Sequence, residues 1–314
     1  MAASDVARDD LVTIRDWLRY SVSRFNAARL SYGHGTATAL DEAAYLILSA
    51  LDLPIDALEP WLDARLTRDE RTRIADLIEQ RITTRKPAPY LLHKAWIGAH
   101  SFYVDERVIV PRSYIGELLR DGLSSVVADD RPPARILDLC TGSGCLAVLA
   151  ALAFPGAHVD ASDLSQDALD VATTNVADYG LDARISLIRS DLFAELAAAR
   201  YDLIIANPPY VAAAEMAAFP PEYRHEPSMA HAGGPDGLDL VRRILKAAPD
   251  HLAPTGQLVV EIGTGRELLE AEFPSLPFLW LDTEGSEGEV FALPASAFAT
   301  RRARSAPKSA AKRQ

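Results

Sequence analysis

Arg135-Ile136-Leu137-Asp138-Leu139-Cys140-Thr141-Gly142-Ser143-Gly144 decides the fold. Its first five residues form a short apolar run of the kind that fills a buried strand. The glycines free the backbone to turn, and Cys145 opens an Ala/Leu-rich helical stretch. A strand that enters a helix through bare backbone leaves that backbone open to a ligand at the strand's carboxyl end. Outward from this point, short apolar runs at 135–139, 158–161, 185–188, 203–206 and 257–262 alternate with helical stretches. That alternation implies an α/β fold with a parallel sheet.

The whole chain has 314 residues, a formal charge of −12, 49% hydrophobic and 24% charged residues, which is the composition of an acidic globular protein. At roughly 100 to 200 residues per domain the length suggests two domains. Apolar runs such as 145–154 fall short of the roughly 20 residues a membrane helix needs, so no membrane span is expected. Asp5, Asp9 and Asp10 stand where an export signal carries positive charge, and the expectation is a cytoplasmic protein. Cys140 and Cys145 are too few for a disulfide framework and lack the partners of a zinc site, so reduced thiols and no metal are expected. Arg301, Arg302, Arg304, Lys308, Lys312 and Arg313 make residues 299–314 a basic tail of disordered composition. Without it the body is more acidic still, and an acidic body repels phosphate and attracts basic protein. Nucleic acid is not required on this reading. Weak contact of the tail with RNA stays open, beside the plainer role of a solubilising extension.

The first ninety residues follow a different period. Ile14, Leu18, Val22 and Phe25 recur at spacings of four, four and three, which places them on one helix face. Thr38 with Asp41, and Thr67 with Glu70, have the spacing of helix N-caps. The last of these helices carries Ile74, Leu77, Ile78 and Ile82 on one stripe and stops before Pro87 and Pro89. Aromatic and β-branched residues over 94–110, broken at Gly98 to Ser101, read as a hairpin closed by Pro111 and Arg112. The organisation expected is a helical domain over 1–92, a hairpin linker over 93–112, an α/β domain over 113–298 and the tail over 299–314. No repeat of solenoid period is present.

About twenty residues beyond the glycine loop, Asp163 follows the second strand, where a carboxylate can accept both hydroxyls of an adenosine ribose. Gly142 to Ala147 also fits the G-x-G-x-x-A fingerprint, which serves NAD and S-adenosylmethionine equally. Thr141, Gly142, Ser143 and Gly144 form the candidate cradle. Asp138 either fixes that loop or meets a ligand cation. Asp191 either accepts from an adenine amine or caps the short helix that follows. Leu192 stands beside it.

Tyr201 to Ala206 reads as the fourth strand, and it ends in Asn207-Pro208-Pro209-Tyr210 at the edge where such sheets bind ligands. The prolines fix a stiff turn with free carbonyls, and the Asn207 side-chain oxygen adds an acceptor. A planar amide or aromatic amine can donate its two hydrogens to Asn207 and to the Pro208 carbonyl while Tyr210 covers its flat face. Asn207, Pro208 and Tyr210 are the candidate catalytic residues. Pro209 completes the substrate clamp, and Asn207 also faces the donor. An amide nitrogen is a poor nucleophile, so orientation and acceptors for developing positive charge must carry catalysis. Hydride transfer has no use for such a clamp.

Asp138 to Gly144, Asp163 and Asn207 to Tyr210 resemble the class I S-adenosylmethionine-dependent methyltransferases that modify planar nitrogens. The helical N-terminal region, Val110-Pro111-Arg112 and Glu261-Ile262-Gly263 resemble more narrowly the protein glutamine N-methyltransferases, over nearly the whole chain except the tail. Release-factor enzymes of that family usually follow Pro-Arg with Pro-Glu-Thr. Here Ser113-Tyr114-Ile115 stands instead, and with Gly33-His34-Gly35 and Tyr223-Arg224-His225-Glu226-Pro227 it resembles the branch that modifies large-subunit ribosomal protein uL3. The resemblance implies a Rossmann-like, mostly parallel seven-stranded sheet and S-adenosylmethionine as donor, with S-adenosylhomocysteine as product. It implies a donor site lined by Gly142, Gly144, Asp163 and Leu192, and a helical domain that selects uL3, free or in an assembling ribosome. The alternatives are methylation of a release-factor glutamine or of adenine in nucleic acid, or a non-catalytic ribosome assembly factor.

Other polar residues read more plainly. His225 with Glu226 suits loop packing better than proton transfer. Glu261 suits the edge of the sheet as well as the site. Gly233 to Gly237 suits a flexible turn, and Arg112 is open between donor and substrate.

Overall fold

The computed structural model describes residues 9–128, 130–196 and 199–298; the basic tail lies outside them. The chain packs as two compact units, Met1–Arg112 with Ala218–Ser228, and Ser113–Ala217 with Met229–Gln314.

In the first unit, α1 (Ile14–Ala27), α2 (Ala39–Ala50), α3 (Arg68–Thr84) and α4 (Ala88–Leu92) precede the antiparallel hairpin β1 (Ala95–Ile97) and β2 (His100–Phe102). Thr38 caps α2 by accepting from the Asp41 N–H, and Thr67 makes a reciprocal capping box with Glu70. Thr13 does the same with Asp16 at the head of α1. The inward stripe of α1 is Ile14, Trp17, Ser21 and Phe25, with Leu18 and Val22 at its margins. These residues meet Leu46, Ile47, Ile74 and Ile78 in one core.

Ala218–Ser228 packs with these helices although its sequence lies inside the run 113–298. Two buried carboxylates explain why. Glu222 accepts from the Ser31 N–H at 2.9 Å and pairs with Arg85 at 2.7 Å. It also lies 3.7 Å from Arg81, which pairs with buried Glu42 at 2.6 Å. Glu226 accepts from the Val110 N–H and takes both terminal nitrogens of Arg112, each at 2.9 Å. A fork-to-fork pair of this kind fixes orientation as well as charge.

The second unit starts with α5 (Tyr114–Arg120), β3 (Arg135–Leu139), α6 (Cys145–Ala153), β4 (His158–Asp163), α7 (Gln166–Asp178), β5 (Ile185–Arg189) and β6 (Tyr201–Ala206). It continues with α8 (Ala213–Ala217), α9 (Asp239–His251), β7 (Leu252–Glu261), α10 (Arg266–Glu272), β8 (Leu279–Leu281) and β9 (Val290–Pro294). The seven-stranded sheet has the order β5-β4-β3-β6-β7-β9-β8, parallel except where β9 runs against β7 and β8. Connections leave β3 toward β4 on one side, and β6 pairs on its other side. The crevice at the carboxyl ends of these two central strands is therefore the switch point where such sheets receive ligands. Both loops singled out above, after β3 and after β6, open there. Among the described residues no helix is long and apolar enough to cross a membrane.

Candidate active site

The loop after β3 is held by three separate anchors. Asp163, at the end of β4, accepts the Gly142 N–H at 2.9 Å through one oxygen and the Ser165 N–H at 2.9 Å through the other. The Thr141 N–H donates to the Ser162 carbonyl at 3.0 Å, and Asn175 of α7 donates its amide to the Ser143 carbonyl at 2.8 Å. Cys140 adopts φ 58°, Gly142 φ 56° and Gly144 φ 78°, so the turn is left-handed at three places and one of them is not glycine. A Cβ on Gly144 would lie 3.0 Å from that of Ala172, whereas one on Gly142 would meet nothing within 4 Å. Gly144 is therefore small for helix packing. Gly142 presents open backbone.

Asp138 is fully buried; one oxygen accepts from the Thr141 hydroxyl at 2.5 Å and the other has no hydrogen-bond partner. Burial pushes its carboxyl up to about 7, against the Thr141 bond that favours ionisation. The folded-state value lies above the ordinary 3.8, so this carboxyl's favourable contribution is complete below about 3.8 and is lost as pH rises through about 7. Asp138→Asn should accordingly melt higher than the unmodified protein above pH 7, with the gap closing as pH falls toward 4. Melting curves across that range without donor check this, and a gap that does not vary with pH would refute it. Burial also raises Asp163 against its backbone bonds, raises the Cys140 thiol, and pushes the Cys145 thiol up to about 12. Both cysteines are free, and as protonated thiols they are poor nucleophiles.

The turn after β6 is built more tightly. Ile204, Ile205 and Ala206 are fully buried between β3 and β7, Pro208 is buried, and Asn207, Pro209 and Tyr210 are half-buried at the mouth. Val211 then runs beside Ala232: its N–H donates to the His231 carbonyl at 2.9 Å and its carbonyl accepts the Gly233 N–H at 3.0 Å. A Cβ on Gly233 would stand 2.7 Å from the Tyr210 Cα, and one on Gly237 would stand 2.3 Å from the Tyr210 carbonyl oxygen. A Cβ on Gly263 would reach the Tyr210 ring at 2.8 Å. Three glycines from two distant segments thus make room for one tyrosine. Gly233 to Gly237 is an ordered seat and not a flexible turn, because its backbone is bonded on both sides.

The tyrosine's hydroxyl donates to Glu261 Oε1 at 3.1 Å. Glu261 Oε2 accepts from the Ser113 hydroxyl at 2.7 Å and the Tyr114 N–H at 2.9 Å. Burial pushes this carboxyl up to about 7, although all of these donors favour its ionised form.

The remaining candidates have partners of their own. Asp191 is half exposed and pairs with Arg243 at 2.8 Å; 191–196 is a turn and not the expected helix, so the capping reading does not hold, and Ser190 Oγ accepts the Glu195 N–H within that turn at 3.0 Å. Leu192 is buried in the sheet core with φ 52° and its carbonyl accepts from Ser190. Arg112 meets Glu226, and His225 meets the Thr84 carbonyl at 3.0 Å. Among the described residues no group of three His, Cys, Asp or Glu is placed to hold a metal ion. Asn175 was not singled out in the sequence, since a helical asparagine carries no signal until α7 is seen to face the loop.

Residues 123–219, which contain the glycine loop, Asp163 and the whole Asn207 turn, match the Methyltransferase small domain family. Full-length relatives agree. The chain is 59% identical to the ribosomal protein uL3 glutamine methyltransferase of Bradyrhizobium diazoefficiens, over 91% of this chain and 92% of the relative. It is 57% identical to that of Bordetella pertussis, over 91% and 96%, and 54% identical to that of Neisseria gonorrhoeae, over 91% and 96%. With a switch-point crevice formed by these two loops and similarity that runs through both packed units, the chain belongs to the ribosomal protein uL3 glutamine methyltransferases.

Proposed function

We propose that this protein transfers a methyl group from S-adenosylmethionine to the side-chain amide nitrogen of one glutamine in ribosomal protein uL3, acting in the cytoplasm on free uL3 or on an assembling particle. The observation that carries this reading is the Asn207-Pro208-Pro209-Tyr210 turn, rigidly seated beside the glycine loop at the carboxyl ends of β6 and β3.

The donor's place fits the residues present. Gly142 offers open backbone, and Asp163 uses one lone pair on each oxygen for the loop, which leaves acceptors for two ribose hydroxyls. The bound donor supplies an electrophilic methyl on a sulfonium. The protein's own task is to present the nitrogen. The Asn207 oxygen and the Pro208 carbonyl accept the two amide hydrogens and fix the amide plane, and the Tyr210 ring closes its face. These acceptors also stabilise the positive charge that grows on nitrogen, and the displaced proton passes to water. No strong base is needed.

Incubation with methyl-labelled S-adenosylmethionine and unmethylated ribosomal proteins, followed by peptide mass spectrometry, tests the reading. Label is expected on a single uL3 glutamine. Label on a release factor instead would transfer the protein to the sister branch, and no label on any protein would overturn the assignment.

A further inference from the structure

Tyr210 is held at its backbone, one ring edge and its hydroxyl. Its Cα and carbonyl lie against Gly233 and Gly237, one ring edge lies against Gly263, and its hydroxyl is bonded to Glu261. Glu261 itself is 1% exposed and sits at the last position of β7, a central strand paired on both sides. An acid there needs a strong reason, because burying a carboxylate is costly unless its oxygens are satisfied. They are satisfied by three donors: Tyr210 on one oxygen, and the Ser113 hydroxyl and Tyr114 N–H on the other. The Ser113 hydroxyl oxygen also accepts the Ile115 N–H and caps α5. One side chain therefore joins the start of α5, the end of β7 and the wall of the amide pocket.

We infer that Glu261 is a positioning residue for methyl transfer, holding the Tyr210 ring at the angle that fixes the acceptor amide. The inference rests on the amide-pocket reading above. Glu261 touches neither donor nor acceptor and acts through the tyrosine alone. Gly263, two residues on, belongs to the same device, since any side chain there would push the ring out of its place.

The replacement Glu261→Gln keeps the shape but has a single acceptor oxygen; with that oxygen on the Ser113 and Tyr114 donors, the Tyr210 hydroxyl loses its carboxylate acceptor and can only turn to accept from the amide NH2. Tyr210→Phe keeps the ring and removes the same bond from the other side. Full-length protein, both single variants and the double variant would be assayed for kcat and KM with uL3. Donor affinity and melting temperature would be measured separately by calorimetry. Each single variant should lose about tenfold in kcat, within the loss on the order of 100-fold that misplacing a reacting group entails. Donor affinity should not change, and the double variant should lose no more than either single one. Such non-additivity marks two residues acting as a unit. Multiplying losses, or a Glu261→Gln protein with unchanged kcat, would overturn the inference. If Glu261→Gln fails to fold, Tyr210→Phe decides: unchanged kcat overturns the inference and reduced kcat with intact donor binding supports it. Failure of the unmodified protein to label uL3 would instead strike the function proposed above.

Discussion

Asn207→Ala should bind the methyl donor as well as the unmodified protein does and lose about 10²- to 10³-fold in kcat, the usual cost of removing one preorganised group aimed at developing charge. The acceptor is an amide. Its lone pair is delocalised, so the rate depends on holding the nitrogen in line with the methyl and on acceptors that become more favourable as positive charge grows. On the function proposed, Asn207 would supply one of two acceptors and Pro208 the other, from a backbone that a side-chain change leaves in place. Asn207 is half-buried beyond the end of β6, so its truncation leaves the strand and its pairing with β3 and β7 intact. Donor affinity by calorimetry and turnover on uL3 separate the two effects. Retained turnover would remove Asn207 from catalysis, and lost donor affinity would move it to the donor side. The same variant in a strain lacking the native enzyme discriminates an assembly factor, for which the substitution would leave ribosome maturation unaffected.

What was legible beforehand follows the range of the interactions. The glycine loop and the Asn207 turn stand out because their reasons are local: strand, bare backbone, stiff acceptors. Thr38 and Thr67 cap their helices as their spacing to Asp41 and Glu70 suggests. Thr13 with Asp16 has the same spacing and makes the same capping box at the head of α1. Strands β8 and β9 escaped because three and five residues beside turns carry little periodicity. The remaining gaps are long-range. Gly233, Gly237 and Gly263 look like turn formers because what they make room for, Tyr210, lies more than twenty residues away. Asp191 carries no mark in the sequence of its partner Arg243, which is on α9. Glu222 and Glu226 resemble surface loop acids until the Arg81, Arg85 and Arg112 that neutralise them are seen.

Arg81→Met should destabilise the first unit by about 3 to 5 kcal/mol, the range found when one partner of a buried ion pair is removed. Arg81, Glu42 and Glu222 are each at most 1% exposed, so water cannot replace a missing partner. Methionine fills similar space, and the loss therefore comes from charge. Glu42 would keep only the Thr36 hydroxyl at 3.1 Å, and the Ser31 carbonyl would lose its guanidinium donor, while Glu222 would still hold Arg85. Most of the effect thus belongs to Glu42, and Glu42→Leu added to Arg81→Met should recover much of it, since paired burial and apolar burial are close in free energy. Arg15 and Asp63, 58% and 81% exposed at 2.9 Å, form the contrasting pair. Arg15→Met should leave stability nearly unchanged, as the loss of an exposed pair does. Urea unfolding with shared slopes measures all four proteins. A cost for Arg81→Met no larger than that for Arg15→Met would mean that water reaches the cluster in solution, and the burial argued for Glu42 and Glu222 would fail with it.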